Sequence, residues 1–505
     1  MLRIRPSRLL TAAVALALAA TAVAVPGPAQ AAPRGGPAWG PCADATDELP
    51  DRLLCATLTV PVNWAHPRGA TIDLALAKLP AARPDERIGS MFINPGGPGG
   101  SGVNFVYSAE EAFSPALTDR FDIVSFDPRG QARSNPVLCD LDQAVAQDGQ
   151  LFPSGVAEFA ALRRTNRELG ESCERLTGRL ARHVDTASVV RDMDAVRAAI
   201  GEEKISYYGV SYGTMIGQQY AELFPDRLRA LVIDSNMDHD QDIWNYQKGE
   251  ALAMEGSFLQ FAAWCDRTPE CALHGRDVPA YFDALYAEAE AGENLLWLVF
   301  GSMYSPENWF DLADALAEMG DGGTARRGEA VELGYRPVMC QDFHFDTRPY
   351  AAVAAMRDSL ARLAPHTKLN PLAWTDLTGC QNWPGAVINP PHRLKASPQL
   401  PPILMTNSRW DVATPYEWAK HLAAQLPSAT LLTYDGVGHA DYFRSPCARA
   451  AIDTYLVDLV TPPAGTHCPA VFPTGRQGLR ASTPDPVAGP RTRWSAPAAG
   501  LARTR

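Results

Sequence analysis

The spacing of apolar residues divides this chain into strand-like and helix-like segments that follow one another in turn. Strand-like segments alternate apolar and polar positions or form short apolar runs rich in β-branched residues: "ATLTVPVNW", "TIDLALAKLP", "FDIVSFDPRG", "KISYYGV" and "LRALVIDSN". Helical spacing is present in "TASVVRDMDAVRAAIG" and "SYGTMIGQQYAELFP". Strands that alternate with helices in this way predict a mostly parallel sheet of the α/β class.

This alternation stops after residue 236 and resumes at residue 399. The segment between, 237–398, is rich in Trp, Phe and Ala, and its spacing is mostly helical. The segments that follow it have strand, helix and strand patterns: "LPPILMTNSRWD", "YEWAKHLAAQLP" and "ATLLTYDGVGH". We therefore predict one α/β core in two parts, 41–236 and 399–469, interrupted by a helical cap over 237–398. Residues 470–505 are rich in Pro, Gly and Arg, which predicts a disordered tail.

The N-terminus has the pattern of a secretory signal peptide. Three arginines within the first eight residues precede an Ala/Leu/Val-rich run from Leu9 to Val25. Ala29-Gln30-Ala31 then matches an A-x-A cleavage site, so residues 1–31 are predicted to be removed, and 32–40 form a flexible leader. No later segment is apolar over a span length, so we expect a secreted, extracellular protein without stable membrane association.

Ten cysteines fit export to an oxidising compartment. They fall into near neighbours along the chain, which favours five pairs without proving them: Cys42–Cys55, Cys139–Cys173, Cys265–Cys271, Cys340–Cys380 and Cys447–Cys468. No metal is expected, since no CxxC and no His/Cys cluster has ligand spacing. The net charge of −12 and the pI near 5.4 argue against nucleic acid as a partner.

One serine stands where a predicted strand meets a predicted helix. Ser211 lies in "GVSYG", with glycine two positions before and after it. A G-x-S-x-G match also arises by chance, but a strand before and a helix after it are the context of a nucleophile elbow. The helix N-terminus favours a developing oxyanion, and the backbone N–H of Tyr212 is the expected first donor to it.

A second oxyanion donor is expected from the loop "NPGGPGGSG", Asn94 to Gly102. Its glycines let backbone N–H groups approach a ligand closely. We favour Gly97 as the donor, with Gly96 next. The alternative, a phosphate-binding loop, has less support because no Lys-Ser/Thr follows and the G-x-G-x-x-G spacing is absent.

A serine nucleophile needs a base, and the base needs an orienting acid. His439, just after a strand in "DGVGHA", is favoured over His421, which lies within a helical pattern, and over His467, which lies near the tail. Asp411 follows the strand "PPILMTN" and is favoured as the acid. Asp234, at the end of "LVID", is the competing acid.

Together these motifs resemble the secreted tripeptidyl aminopeptidases of actinomycetes, which are serine peptidases related to prolyl aminopeptidases. The resemblance rests on "NPGGPGGSG", "FDPRGQARS", "YYGVSYGT", "DVATP" and "GVGHA", in that order. It implies an α/β-hydrolase fold with a helical cap before the last core strands, and no cofactor. It also implies the triad Ser211, Asp411 and His439, oxyanion donors Gly97 and Tyr212, and release of short peptides from free N-termini.

Two positions depart from the family's pattern. Val412 stands where many relatives have proline, and Ala440 stands after the histidine where glycine is common. Neither residue type touches a reacting atom, so the departures bear on fine specificity and not on the chemistry.

The cap is the expected place for substrate specificity. An aminopeptidase must bind a protonated α-amine, and a buried carboxylate does this best. The acids considered are Asp342 and Glu255 first, with Glu250 and Asp346 beside them. We therefore expect peptide substrates. Two alternatives stay open: an esterase or other amide hydrolase with the same triad, and a non-catalytic binding protein on the same fold. The sequence is silent on oligomeric state.

Overall fold

A computed structural model describes residues 36–43, 49–289, 292–319 and 333–475 of the chain. The predicted signal peptide, 1–31, lies outside the described residues, as do the first residues of the predicted leader and residues 476–505 of the predicted tail. Among the described residues, no helix combines the length and apolarity that crossing a membrane requires.

Nine strands form one sheet in the described part of the chain. They are β1 Leu54–Pro61, β2 Thr71–Leu79, β3 Gly89–Asn94, β4 Phe121–Phe126, β5 Ile205–Ser211, β6 Leu228–Asn236, β7 Ile403–Trp410, β8 Ala429–Val437 and β9 His467–Cys468. The spatial order is β1-β2-β4-β3-β5-β6-β7-β8-β9. The pairs β1/β2 and β2/β4 are antiparallel, and the other pairs are parallel. This confirms the predicted α/β-hydrolase fold.

Helices flank this sheet and fill the long connection between β6 and β7. The α-helices of the described residues are α1 Gly102–Tyr107, α2 Ala109–Ala112, α3 Pro115–Thr118, α4 Leu141–Asp148, α5 Val156–Thr177, α6 Thr186–Ala199, α7 Tyr212–Leu223, α8 Ile243–Arg267, α9 Val278–Glu288, α10 Gly292–Tyr304, α11 Trp309–Met319, α12 Tyr335–Asp342, α13 Tyr350–Leu363, α14 Pro371–Gly379, α15 Tyr416–Ala423, α16 Asp441–Arg444 and α17 Pro446–Asp458. Short 3-10 turns lie at Pro84–Glu86, Gly178–Arg182, Pro225–Arg227 and Pro306–Asn308.

The central strands are buried on both faces, as expected of parallel strands covered by helices. Every residue of β5 is buried, and so are nearly all of β6. Aspartate side chains cap the N-termini of several helices and so fix where these helices begin. The Asp185 carboxylate accepts the Ser188 N–H at the start of α6, and Asp242 accepts the Asn245 N–H at the start of α8. Such caps each contribute about 0.5–2 kcal/mol.

The connection between β6 and β7 is helical throughout its named elements, from α8 to α14. Its interior is aromatic: Phe258, Phe261, Trp264, Trp309 and Phe310 pack in successive ring contacts. The helix α8 also contacts the sheet, because the Ser257 hydroxyl donates to the Trp410 carbonyl at 2.9 Å. We refer to this connection as the cap. The limits 237 and 398 stay a prediction.

The described start of the predicted tail lies against the cap. The Trp264 indole donates to the Pro473 carbonyl at 3.1 Å, and the ring of Phe472 lies 6.0 Å from that of Trp309. These contacts extend the ordered chain a few residues past position 470, where the composition predicts disorder.

All ten cysteines are paired in the structure, in the five pairs that chain proximity favours. Two of these disulfides lie within the cap, Cys265–Cys271 and Cys340–Cys380. The others, Cys42–Cys55, Cys139–Cys173 and Cys447–Cys468, lie in the core.

Candidate active site

Ser211 lies at the turn from β5 into α7 with a left-handed backbone, φ 57° and ψ −125°. A non-glycine residue in such a conformation costs about 1–3 kcal/mol and persists only where the surroundings impose it. The chain packs closely around this turn, since a Cβ at Gly209 would lie 2.5 Å from the Gly213 carbonyl oxygen. A Cβ at Gly213 would lie 2.8 Å from the Asn94 carbonyl oxygen. The two glycines of the motif are therefore required by close packing.

The glycine loop after β3 lies directly against Ser211. A Cβ at Gly96 would lie 2.8 Å from the Ser211 Cβ and 3.1 Å from the Tyr212 nitrogen. Gly96 and Gly97 both have left-handed backbones, with φ of 89° and 109°. The Gly96 N–H donates to the Asn94 side-chain oxygen at 2.9 Å, so this N–H is already engaged. That leaves Gly97, which follows it, as the better of the two predicted donors.

Asp411 and His439 form a fully buried pair at the ends of β7 and β8. The His439 Nδ1 lies 2.9 Å from each Asp411 carboxylate oxygen. The same carboxylate accepts the N–H groups of Ala413 and Thr414, at 2.9 and 3.0 Å. The Thr414 hydroxyl also donates to it at 2.8 Å. These donors hold the carboxylate in one orientation, so it fixes the imidazole through Nδ1.

The other ring nitrogen of His439, Nε2, is buried and has no hydrogen-bond partner among the described residues. The structure therefore shows no Ser211–His439 hydrogen bond. Ser211 and the residue after His439 nevertheless both contact the last residues of β6. Ser211 is paired in register with Asn236, and the Ser235 hydroxyl accepts the Ala440 N–H at 2.8 Å.

Asp234, the competing acid, contacts the segment after the histidine and makes no hydrogen bond to its ring. Its carboxylate accepts the N–H groups of Asp441 and Tyr442, at 2.8 and 3.0 Å. The Tyr208 hydroxyl donates to it at 2.8 Å. Burial raises the pKa of Asp234, and these donors lower it. Asp234 therefore anchors the backbone that follows His439.

The cap covers this site at two places. The Tyr304 ring lies 4.4 Å from the His439 ring between centroids, and the Tyr304 carbonyl accepts the His439 N–H at 3.1 Å. On the oxyanion side, the Gln131 side chain donates to the Gly334 carbonyl at 2.9 Å. His439 is fully buried and Ser211 is 8% exposed. Cap residues thus form part of the wall of the site.

A buried carboxyl of the cap, Glu250, lies next to the Asp411 loop. One amide connects them, because the Asn370 side chain donates both to Glu250 Oε2 and to the Val412 carbonyl, each at 2.7 Å. Among the described residues, this is the one hydrogen bond that the Glu250 carboxylate accepts. Burial raises the pKa of Glu250 well above its usual value, and the charges of Asp376 and Asp411 raise it further.

Asp376 shares this part of the cap and faces Glu250 from α14. The hydroxyls of Tyr246 and Tyr335 donate to its Oδ2 at 2.9 and 3.1 Å. Its Oδ1 is buried without a hydrogen bond, 3.6 Å from the Arg336 guanidinium. Burial raises the pKa of Asp376 to about 6 despite that arginine.

The two acids first considered for amine binding are engaged by protein donors. Asp342 accepts the Thr186 N–H and hydroxyl and the Asn389 amide, so both of its oxygens are occupied. Burial raises its pKa to about 7. The Glu255 carboxylate accepts the Thr367 N–H and hydroxyl, each at 2.9 Å. Their role as amine ligands stays a prediction.

The remaining acid of that set, Asp346, is half exposed. It pairs with Arg163, with 2.5 Å between Nη1 and Oδ1. In the described part of the chain, no three His, Cys, Asp or Glu side chains are placed to hold a metal ion.

The chain matches known proteins over most of its length. The family described as TAP-like protein matches residues 368–468. The tripeptidyl aminopeptidase of Streptomyces lividans is 32% identical over 502 residues, which is 91% of this chain and 88% of that protein. The serine protease Hip1 of Mycobacterium tuberculosis is 32% identical over 486 residues, or 85% of this chain and 90% of that one. The chain belongs to the tripeptidyl aminopeptidase family. It is an enzyme of the α/β-hydrolase serine peptidase type.

Members and relatives of this family differ in their stated activities. Carboxylesterase B of Mycobacterium tuberculosis is 30% identical over 494 residues, 85% of this chain and 89% of that one. Among solved structures, an α/β-hydrolase fold protein of Chitinophaga pinensis aligns with 80% of this chain and 98% of its own, at 14% identity and a TM-score of 0.36. That likeness is too weak to show anything further about this chain.

Sequence reasoning missed residues of this site that carry no motif. The exception is Thr414, which stands three residues after Asp411 in "DVATP". A hydroxyl at that distance from an acid is a recognisable signal. Tyr304, Asn370 and Asp376 had no such signal, because each reaches the site from a distant helix of the cap.

Proposed function

We propose that this protein is a secreted exopeptidase that releases short peptides, tripeptides in particular, from free N-termini through an acyl-enzyme on Ser211. The observation that carries the proposal is the buried His439–Asp411 pair, at 2.9 Å, on the same sheet as a strained serine at a strand–helix turn. The named relatives support a peptide substrate. The buried His439 Nε2, which has no hydrogen-bond partner among the described residues, is the atom that would accept a proton.

The proposed chemistry uses two displacements at one carbonyl. His439 Nε2 takes the Ser211 hydroxyl proton as the serine oxygen attacks, and then returns it to the leaving amine. Asp411 stays ionised and stabilises the imidazolium through Nδ1. Water then repeats the sequence against the acyl-enzyme and releases the peptide.

The oxyanion formed in each step would be held by backbone N–H groups of Tyr212 and Gly97. The support is the contact between the glycine loop and the first turn of α7, where a Cβ at Gly96 would lie 3.1 Å from the Tyr212 nitrogen. Two donors aimed at a developing charge lower the barrier most in a site without bulk water, and this site is buried.

We further propose that the substrate's α-amine binds a carboxylate of the cap. Among the four acids considered, Glu250 has the best support, because its carboxylate accepts a single hydrogen bond from the described residues and it lies one amide from the Asp411 loop. A protonated amine would supply the counter-charge that this buried acid lacks. Asp342 and Glu255 stay predictions with less support.

Secretion is supported by two independent features. The first residues have the signal-peptide pattern, and five disulfides link the described chain. Disulfides form and persist in oxidising compartments, outside the cytosol.

A second candidate function is an esterase with the same triad. The observation that favours it is the relative named Carboxylesterase B, which covers as much of this chain as the protease Hip1 does. The acyl-enzyme chemistry is the same for esters and amides, so the fold and triad do not distinguish them.

The test compares the mature protein and Ser211→Ala on five substrates. These are a single-residue p-nitroanilide, a dipeptide anilide, the free tripeptide anilide Ala-Pro-Ala, its N-acetylated form, and p-nitrophenyl acetate. We expect fast release from the free tripeptide, loss of release on acetylation, and loss of all turnover in Ser211→Ala. Serine-dependent turnover of the acetate alone would reject the exopeptidase and favour the esterase.

A further inference from the structure

We propose that Arg444 is a positioning residue that couples docking of the cap to the orientation of the catalytic histidine. It lies at the end of the short helix α16, five residues after His439. Its guanidinium contacts the catalytic loop and the cap together. The enzyme would therefore be fully active only while the cap is docked on the core.

The contacts of Arg444 run to both sides of the site. Its Nε donates to the His439 carbonyl at 3.2 Å. Its Nη2 donates to the Ser305 hydroxyl of the cap at 2.8 Å, and its Nη1 pairs with the Glu307 carboxylate. A planar guanidinium can make these three contacts at once, whereas a lysine ammonium has no such fork.

Cap and core divide the backbone of the catalytic loop between them. The His439 N–H donates to the Tyr304 carbonyl, and the His439 carbonyl accepts from Arg444, which the cap holds. The next N–H groups along the chain, those of Ala440 and Asp441, donate to core residues of β6. The N–H and the carbonyl of His439 thus depend on the cap, and the N–H groups of the next two residues depend on the core.

The same cap segment also packs on the loop. The Tyr304 ring faces the imidazole, and a Cβ at Gly438 would lie 3.0 Å from the Pro306 ring. When this segment moves away, His439 loses a hydrogen bond at its N–H and the support of Arg444 at its carbonyl. Its Nδ1 contact with Asp411 would remain, but the imidazole would lose its contact with the Tyr304 ring.

The exposure of the pair indicates what it contributes. The Arg444 side chain is 10% exposed and that of Glu307 is 53% exposed. An ion pair with one half-exposed partner contributes little to folding stability. Its loss should therefore change the geometry of the loop more than the stability of the protein.

The test measures the rate at which a fluorophosphonate probe labels Ser211, because that rate depends on His439 and needs no assumption about the natural substrate. The variants are Arg444→Met, Arg444→Lys, Glu307→Gln and Arg444→Met/Glu307→Gln. The control is Arg163→Met, which breaks a core–cap ion pair of similar exposure, 15% and 43%, away from the catalytic loop.

We expect Arg444→Met to lower the labelling rate about 10- to 100-fold, since a displacement of about 1 Å at a catalytic group has effects of that size. Glu307→Gln should lower it less, Arg444→Lys should recover part of the loss, and the double variant should match Arg444→Met. Arg163→Met should label at the wild-type rate. The melting temperatures of Glu307→Gln and Arg163→Met should match the wild type.

Three results would overturn the proposal. One is labelling of Arg444→Met at the wild-type rate. Another is additive losses in the double variant, because two residues of one contact should not add. The third is an equal loss in Arg163→Met. If Arg444→Met does not fold, an unchanged rate in the surface variant Glu307→Gln rejects the proposal. A failed exopeptidase assignment leaves this test intact, since the probe reports only on Ser211 and its base.

Discussion

The core half and the cap half of the active site are built in different ways. In the core, Ser211, Asp411 and His439 each follow a parallel strand, β5, β7 and β8, and so reach the same edge of the sheet. In the cap, the residues that reach the site come from the ends and sides of separate helices. Tyr304 ends α10 and contacts the core through its backbone carbonyl, whereas Glu250 lies within α8 and contacts it through the Asn370 amide.

We therefore assign the proposed acyl-transfer chemistry to the core half and the proposed choice of substrate to the cap half. In the proposed mechanism the sheet holds the reacting groups in fixed register, so the core half would be the same for any acyl-transfer substrate. The cap adds buried charge and covers the site, and one sheet edge can therefore serve peptidases and esterases through different caps. Substitutions in the core should thus affect all substrates, and those at cap residues that do not support the His439 loop should affect some.

The largest expected effect separates the two acids of the core. Asp411→Asn should lower kcat about 10⁴-fold on every substrate, because the imidazole loses the acceptor that fixes its tautomer. Asp234→Asn should lower it about 10-fold or less, since Asp234 contacts the backbone after the histidine and not its ring. Steady-state kinetics on the free tripeptide and on p-nitrophenyl acetate checks this. A loss in Asp234→Asn as large as that in Asp411→Asn would make Asp234 the catalytic acid.

The next effect is specific to the cap. Glu250→Gln should lower kcat/KM for the free tripeptide about 30- to 1000-fold, which corresponds to about 2–4 kcal/mol for an ammonium left without its carboxylate. It should leave p-nitrophenyl acetate turnover unchanged. Asp266→Asn, an exposed acid at the end of the same helix, is the matched control. Equal losses on both substrates would place Glu250 in the support of Asp411 and not in amine binding.

The pH dependence follows from the raised pKa of Glu250, which burial causes. Below this raised pKa the free enzyme carries the group protonated, whereas a protonated amine binds its ionised form, so binding there releases a proton. Affinity for the free tripeptide should therefore rise with pH until the amine itself deprotonates, near its usual pKa of about 8. Calorimetry of Ser211→Ala in buffers of different ionisation enthalpy measures this proton release. Glu250→Gln should release none.

The same raised pKa affects folding. A carboxyl whose pKa is higher in the folded state stabilises the protein at low pH, and that contribution is lost as pH rises through the folded value. Glu250→Gln should therefore gain stability relative to the wild type as pH increases. Melting temperatures measured from pH 4 to 8 check the sign, and a constant difference would contradict it.

The smallest expected effect on activity compares two disulfides. Cys340–Cys380 closes 40 residues of the cap and Cys139–Cys173 closes 34 residues of the core. Replacing either pair by alanines should lower the free energy of unfolding by about 2–4 kcal/mol, with less than a twofold change in kcat at 25 °C. On heating, tripeptide hydrolysis by the cap variant should have a lower midpoint than its far-ultraviolet circular dichroism, because the core keeps its helices and sheet when the cap opens. In the core variant the two signals should fall together.

The amino-acid sequence by itself predicted the α/β-hydrolase sheet and the helical connection between β6 and β7. It also led to the proposed order of the catalytic motifs. Alternation, helical spacing and glycine positions are local signals, and each strand-end motif carries its residue to a known edge of the sheet. That is why Ser211, Asp411 and His439 could be predicted as a triad without the fold, and why Gly96 and Gly97 could be predicted as oxyanion-loop residues.

Tertiary structure alone decided which cap residues reach the site. The Glu250 carboxyl meets the Asp411 loop through Asn370, 120 residues further along the chain. Arg444 meets Glu307 across 137 residues. Such contacts depend on how helices of irregular length pack, and no periodic signal encodes them. Burial is also a tertiary property: it left Glu250 with a single hydrogen bond from the described residues and surrounded Asp342 and Glu255 with donors, although in the sequence the three acids look alike.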